Sequence, residues 1–179
     1  MLPTVYQCLY SLIVRRAEKE LFPTLRGLGI RIQAYSSLAS GFLVKTVQGV
    51  KDGVGNFDRT TVFGKVLQAM YGNESQLRGL EAYRELCDES GLGHLGMAYR
   101  WAVWNSALGS STDDGQRMDM VILGASRAGQ LRDAVEEIRK GPLDEWIVER
   151  LEKIWKTVEN DAPEDNYRTY KKLLEAGLV

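Results

Sequence analysis

Apolar and polar positions along this chain change period several times, and each change marks an element. Thr4 to Leu9 is a short apolar run opened by Pro3, the pattern of a buried strand. Residues 15–27 switch to helical spacing. Ala17, Leu21, Leu25 and Leu28 form an apolar stripe, so Arg15, Arg16, Glu18, Lys19 and Glu20 are expected to face water. Pro23 marks a kink or restart, and Gly27 and Gly29 end the helix. Ile30–Tyr35 alternates Ile30, Ile32 and Ala34 with Arg31 and Gln33, which predicts a second strand. Residues 41–64 are glycine-rich without a period and are expected to form a long irregular loop. Residues 75–90 read as an amphipathic helix carrying Leu77, Leu80 and Leu86, broken by Gly91-Leu92-Gly93. Residues 94–108 are mostly apolar, a buried helix. Ser110 to Gly115 is a polar loop, and Met120–Leu123 is a third strand. Helices close the chain at about 127–139, 143–159 (after Gly141-Pro142) and 165–176.

Strands alternating with helices imply βα units and a parallel sheet, hence an α/β fold. Three strands are too few to close a barrel, which takes eight. The residues alone leave a small open sheet and a barrel portion both open. The chain has 179 residues, 44% of them hydrophobic, enough for one domain with a core. A net charge of −1 lacks the concentrated basic face of a nucleic-acid or membrane-surface binder, so neither partner is expected. Cys8 and Cys87 make no disulfide framework, and there is neither a signal-peptide pattern nor an apolar run of about 20 residues. A cytoplasmic location is the expectation. The single histidine, His94, has no companion ligands, so no metal site is expected and His94 reads as a packing or surface residue.

Candidate chemistry gathers at strand ends. Ser36, Ser40 and Gly41 follow the second strand, where α/β barrels place phosphate groups. A small-residue turn without function is the competing reading. Gly124-Ala125-Ser126-Arg127 opens a helix, whose free N–H groups and partial positive charge favour an anion. Arg127 adds a guanidinium, while Ser126 also suits a plain N-cap. Tyr35 is placed to stack on a flat heterocycle or to pack in the core. Gln7, on an otherwise apolar strand, matches a carboxamide ligand or pairs with backbone.

Pro3-Thr-Val-Tyr-Gln-Cys-Leu-Tyr-Ser11, Glu18-Lys-Glu20-Leu-Phe-Pro23 and Ala34-Tyr-Ser-Ser-Leu-Ala-Ser-Gly-Phe-Leu43 resemble aldo-keto reductases of the aflatoxin-aldehyde-reductase type. Tyr99-Arg-Trp101, Val121-Ile-Leu-Gly-Ala-Ser126 and Gln130-Leu131 do so as well, in the same order. The resemblance implies the C-terminal portion of a (β/α)8 TIM barrel, about strands six to eight with their helices, over residues 1–179. It implies NADPH-dependent reduction of an aldehyde or ketone, a small-molecule carbonyl substrate, and in fungi a place in secondary metabolism. On it, Gln7 bonds the nicotinamide carboxamide and Tyr35 stacks on its ring. Ser36, Leu38, Ser40 and Gly41 line the pyrophosphate path. Gly124, Ser126, Arg127 and Gln130 surround the adenosine and its 2′-phosphate, with Arg127 favouring NADPH over NADH.

The chain departs from the family pattern in places. Ser37 stands for a proline, Val44-Lys45-Thr46 closes the turn, and Gly55-Asn56-Phe57 lacks a phosphate-binding arginine that Arg59 would have to replace. Ala134 stands for an adenine-contacting asparagine, and Tyr10-Ser11 for a Tyr-Asn pair. The family's catalytic tyrosine, lysine, aspartate and histidine lie on its first strands, and no residue here matches them, so no catalytic residue is assigned. Met1 directly before a strand suits a mis-started sequence or a truncated gene. The alternative to a reductase is therefore an inactive barrel fragment that binds NADPH or another protein. Such a fragment is expected to expose sheet edges and an apolar inner layer (Val5, Tyr6, Ile32, Val121, Leu123) and to self-associate through them.

Overall fold

The computed structural model describes residues 3–109 and 119–179. The polar loop expected at Ser110–Gly115 lies outside them. Three parallel strands, β1 (Val5–Leu9), β2 (Arg31–Tyr35) and β3 (Met120–Val121), form one sheet in the order β1-β2-β3. Between β1 and β2 runs a single turn of 3-10 helix (Arg16–Glu18) and then α1 (Leu21–Gly27). The expected single helix is thus split. Pro23 sits in the first turn of α1, where its missing N–H has no intrahelical partner to forfeit. Leu28, expected on the apolar stripe, is exposed, and Phe22 and Leu25 take the buried positions.

Register decides what each sheet face carries. Gln7 pairs with Gln33 and Gln33 with Met120, so these side chains share one face with Val5, Arg31 and Tyr35. Cys8, Ile32 and Ala34 occupy the other face and are buried under the helices. Gln7, Arg31 and Met120 are exposed. The expected apolar inner layer is corrected in part: Ile32 is fully buried on the helix side, while Val5 shares the open face with Gln7, Arg31, Gln33 and Met120, and Tyr6 is exposed. β3 is also shorter than expected, ending at Val121 although Ile122 still donates its N–H to the Ala34 carbonyl at 2.8 Å.

Residues 41–64 are not an irregular loop. A 3-10 segment (Ala39–Val44), α2 (Val47–Lys51), another 3-10 turn (Gly55–Phe57) and the start of α3 (Val62–Tyr71) run through them. Thr46 and Thr61 each cap a helix, accepting from the N–H of Gly49 at 3.0 Å and of Gly64 at 2.9 Å. Both sit in the local pattern Thr-Val-x-Gly. A Cβ at Gly64 would lie 1.9 Å from the Asp58 carbonyl oxygen, so only glycine lets that turn close on α3.

α4 (Glu74–Ser90) starts at Asn73, whose side chain accepts from Gln76 N at 2.9 Å, and ends at Gly91 in the left-handed region (φ 68°). α5 (His94–Arg100) continues as a π-helical turn, Trp101–Asn105, and is largely buried. α6 (Ala128–Arg139), α7 (Glu145–Val158) and α8 (Asn166–Glu175) complete the chain. α4 packs on α7, α5 on α6 and α3 on α8. Tyr10, Phe22, Ile32, Phe42, Phe57, Tyr71, Tyr83 and Trp101 are the large fully buried side chains. Each contributes roughly 1.5–3 kcal/mol through the apolar surface it removes from water.

Asp119 ties the sheet's base together. Its buried carboxylate accepts from Ile32 N at 2.9 Å and from Arg26 Nη2 at 2.6 Å. Arg15 was expected in water. Instead its guanidinium lies 5.1 Å from the Trp101 ring centroid and 5.5 Å from that of Trp155, bonded to Glu18 and Glu152.

Candidate functional site

The turn after β2 is made of left-handed backbone. Ser36 (φ 60°), Ala39 (φ 50°) and Ser40 (φ 57°) adopt it without being glycine, and Gly41 (φ 92°) follows. Such residues cost roughly 1–2 kcal/mol each and persist only where the surroundings hold them. Here the surroundings do. Ala39, Phe42 and Leu43 are fully buried beneath the turn. Ala39 N donates to Ser36 O at 2.7 Å, Gly41 N to Leu38 O at 3.0 Å, and Asn56 Nδ2 to Ser40 O at 3.2 Å.

This turn forms one wall of a cavity of about 880 Å³ at the C-terminal ends of β2 and β3. Tyr35, Ser36, Leu38, Ser40 and Gly41 line one side, and Gly124, Ser126 and Gln130 line the other. Gly93, His94 and Tyr99, on α5 and just before it, complete the enclosure. A volume of this size lies within the range of about 300–1,000 Å³ typical of ligand sites. A Cβ at Gly41 or Gly124 would meet no atom within 4 Å, so both glycines leave open space beside the wall.

Two expected residues stand apart. Gln7 does not line the cavity: its Nε2 donates to Gln33 Oε1 at 3.1 Å across the open sheet face. The neighbouring strand satisfies it, where sequence offered a ligand or backbone. Arg127 also lies off the lining, exposed at the N-cap of α6 beside Ser126. Ser126 is not the N-cap. Gln130 reaches back, its Oε1 accepting from Ser126 N and Oγ at 3.0 Å each and from Arg127 N at 3.3 Å. Ala134 is buried. Arg59 does not enter the cavity lining in place of the missing arginine, because it bonds Gln68 Oε1 at 3.1 Å, while Asn56 lines the wall.

Sequence reasoning missed His94, Asn56, Ser37 and Tyr99 as wall residues. Ser37 Oγ and His94 Nε2 are buried with no hydrogen-bond partner among the described residues. Burial, seconded by Arg84 and opposed by Asp88, holds the His94 imidazole below its ordinary pKa, which favours the neutral ring. Tyr35 and Tyr99 are both pushed above the ordinary phenol value, chiefly by burial, and remain hydrogen-bond donors through neutral pH. No local signal marks His94 for the cavity; only the packing of α5 against the Ala39–Val44 turn brings it there. Among the described residues no group of three or more His, Cys, Asp or Glu could hold a metal ion. No helix among them is long and apolar enough to cross a membrane.

Comparison with known proteins assigns the family. The Aldo/keto reductase family model matches residues 1–156. The chain belongs to the aldo/keto reductase family. It is 39% identical over 163 residues to the oxidoreductase sirO of Leptosphaeria maculans, covering 91% of this chain and 48% of that protein. It is 33% identical over 171 residues to human aflatoxin B1 aldehyde reductase member 4, covering 91% of this chain and 50% of the relative. An aldo-keto reductase of Pseudocercospora fijiensis is 34% identical over 165 residues, with 90% and 54% covered. The chain spans about half the length of the curated relatives it matches. Membership makes this an oxidoreductase-family α/β domain, from a family whose members act on carbonyl compounds with nicotinamide cofactors.

Proposed function

We propose that this chain is the cofactor-binding, C-terminal portion of a (β/α)8 aldo-keto reductase, about strands six to eight, and that its cavity takes NADPH. The observation that supports this most is the convergence of two small-residue walls, Ser36–Gly41 and Gly124–Gln130, on one cavity at the carboxyl ends of parallel strands. That is where barrel enzymes bind phosphorylated ligands. When bound, NADPH supplies the hydride that reduces an aldehyde or ketone to an alcohol.

The chain's own residues bind and orient. Tyr35 presents an aromatic face at the end of β2. Ser36, Leu38, Ser40 and Gly41 shape the pyrophosphate path, where the missing Cβ of Gly41 admits close approach. Gly124, Ser126 and Gln130 take the adenosine end, next to the positive N-terminus of α6. Arg127, exposed at the rim, pairs with a 2′-phosphate. Gln7 serves the carboxamide only by exchanging its bond to Gln33. Proton donation to the carbonyl oxygen falls to residues the family carries on its first strands, so this chain is proposed to bind cofactor without turning over substrate. Substrate is proposed to be a small carbonyl compound, in keeping with relatives named as aldehyde reductases.

Titration of the chain with NADPH and NADH, followed by quenching of tryptophan fluorescence, tests this. The expected result is saturable NADPH binding, tighter than NADH, with the preference narrowed in Arg127→Ala. Absence of saturable binding by either nucleotide overturns the cofactor assignment. Aldehyde reduction by the chain unaided overturns the proposed division of labour.

A further inference from the structure

The hydroxyl of Tyr35 donates to Oδ1 of Asn166 at 3.1 Å. Asn166 is the first residue of α8, and it lies beyond the segment that the family model matches. The helix that carries it is anchored independently of this bond. α8 packs along α3, Leu173 rests on the core, and Lys65 Nζ donates to the Leu178 carbonyl at 2.9 Å. The Asp165 carboxylate caps the helix, accepting from Arg168 N at 2.7 Å, which fixes the backbone entering Asn166. An anchored acceptor therefore meets the tip of an aromatic ring that is only partly packed. A phenol ring held at its Cβ can still swing about χ1 and turn about χ2. A hydrogen bond at the far end pins the swing, and because a phenolic O–H lies near the ring plane, the acceptor's direction also biases the turn.

We propose that Asn166 is a positioning residue, fixing the Tyr35 ring through its Oδ1 so that a flat heterocycle entering the cavity meets a preset stacking face. The proposal rests on the reading of the cavity as an NADPH site. It adds a residue from α8, and it makes the C-terminal helix part of the cavity's architecture. The gain is preorganisation: a ring already oriented loses less freedom when the ligand arrives. The phenol stays protonated through neutral pH, as burial and Asp165 raise its pKa, so the donor is present throughout.

The test compares Asn166→Ala, Asn166→Asp and Tyr35→Phe in the full chain. Alanine at the first position of α8 leaves helix formation intact, and aspartate there suits the helix dipole. N166A is expected to weaken NADPH binding about three- to tenfold, the range that one neutral hydrogen bond supports. N166D keeps the acceptor and is expected to retain wild-type affinity. Y35F is expected to match the loss in N166A, with no further loss in the double variant. 2′-Phospho-ADP-ribose, which lacks the nicotinamide, is expected to bind all variants alike. NADPH affinity unchanged in N166A overturns the proposal. An equal loss of NADPH and 2′-phospho-ADP-ribose shows general loosening and overturns it as well. Spectra of ¹³C-labelled tyrosine in ligand-free protein separate the two levels. N166A is expected to shift the Tyr35 ring resonances, and no shift overturns the contact itself. A ring shift in N166A, together with no NADPH binding by the unsubstituted chain, overturns the cofactor reading, and with it the role assigned to Asn166.

Discussion

At the scale of single residues, burial sets the chemistry of the groups that titrate. Both cysteines are buried free thiols. Burial, with the Asp119 charge, pushes the Cys8 thiol up to about 12, and burial raises Cys87 to about 11. In the unfolded chain a thiol ionises near about 8.5. Above that pH the unfolded state releases protons that the fold retains, so folding loses stability as pH rises from about 8.5 toward 11. Below it the thiols contribute no slope. The buried phenols of Tyr10, Tyr71 and Tyr83 are raised for the same reason and act in the same direction. Urea midpoints are expected to fall between pH 7.5 and 10, with a shallower fall in Cys87→Ala. A midpoint independent of pH over that range would count against the buried-thiol account. The left-handed serines carry a related lesson. Small residues in the turn after β2 were legible as a candidate site, but Ser36 and Ser40 adopt a conformation that serine does not announce.

At the scale of elements, the period of the apolar positions located β1, β2, α4 and α7 closely. It failed where short helices begin on a single capping threonine, as at Thr46 and Thr61, because one or two turns show no resolvable period. It also misplaced Arg15. Helical spacing sends this residue to the polar side of its segment, yet Trp101 and Trp155 arrive from distant elements and enclose it. The guanidinium bonds Glu18 at 2.8 Å and Glu152 at 2.6 Å, and Glu18 also accepts from Tyr10 Oη at 2.5 Å. Replacing Arg15 with leucine leaves Glu18 without its cation in a mostly buried setting. The expected cost is roughly 2–4 kcal/mol in a urea titration. Arg15→Lys is expected to cost less but not to be neutral, since an ammonium cannot span both carboxylates and stack. A loss under about 0.5 kcal/mol for Arg15→Leu would mean the cluster is an exposed ion pair in effect.

At the scale of the whole molecule, the described sheet is open. β1 pairs only with β2, and Tyr6 on the outer strand is 43% exposed. The open face mixes Gln7, Arg31 and Gln33 with Val5 and Met120, so the edge of β1 is the feature that invites pairing. Sedimentation velocity on the isolated chain is expected to show concentration-dependent association, reduced in Tyr6→Lys, which places a charge on that edge. A wild-type chain that stays monomeric at all concentrations overturns this expectation.

What the sequence determined by itself was local and periodic: two strands, the long helices, the small-residue turns, and a family resemblance carried by motifs in order. These follow from side-chain spacing and turn chemistry, which act between near neighbours. Tertiary structure decided the rest. It drew the turn after β2 and the start of α6 into one cavity, brought His94 and Tyr99 to its wall, and set Arg15 between two indoles. It gave Gln7 to Gln33 and Asn166 to Tyr35. Those contacts join residues far apart in the chain, and only strand register and helix packing determine which distant side chains meet.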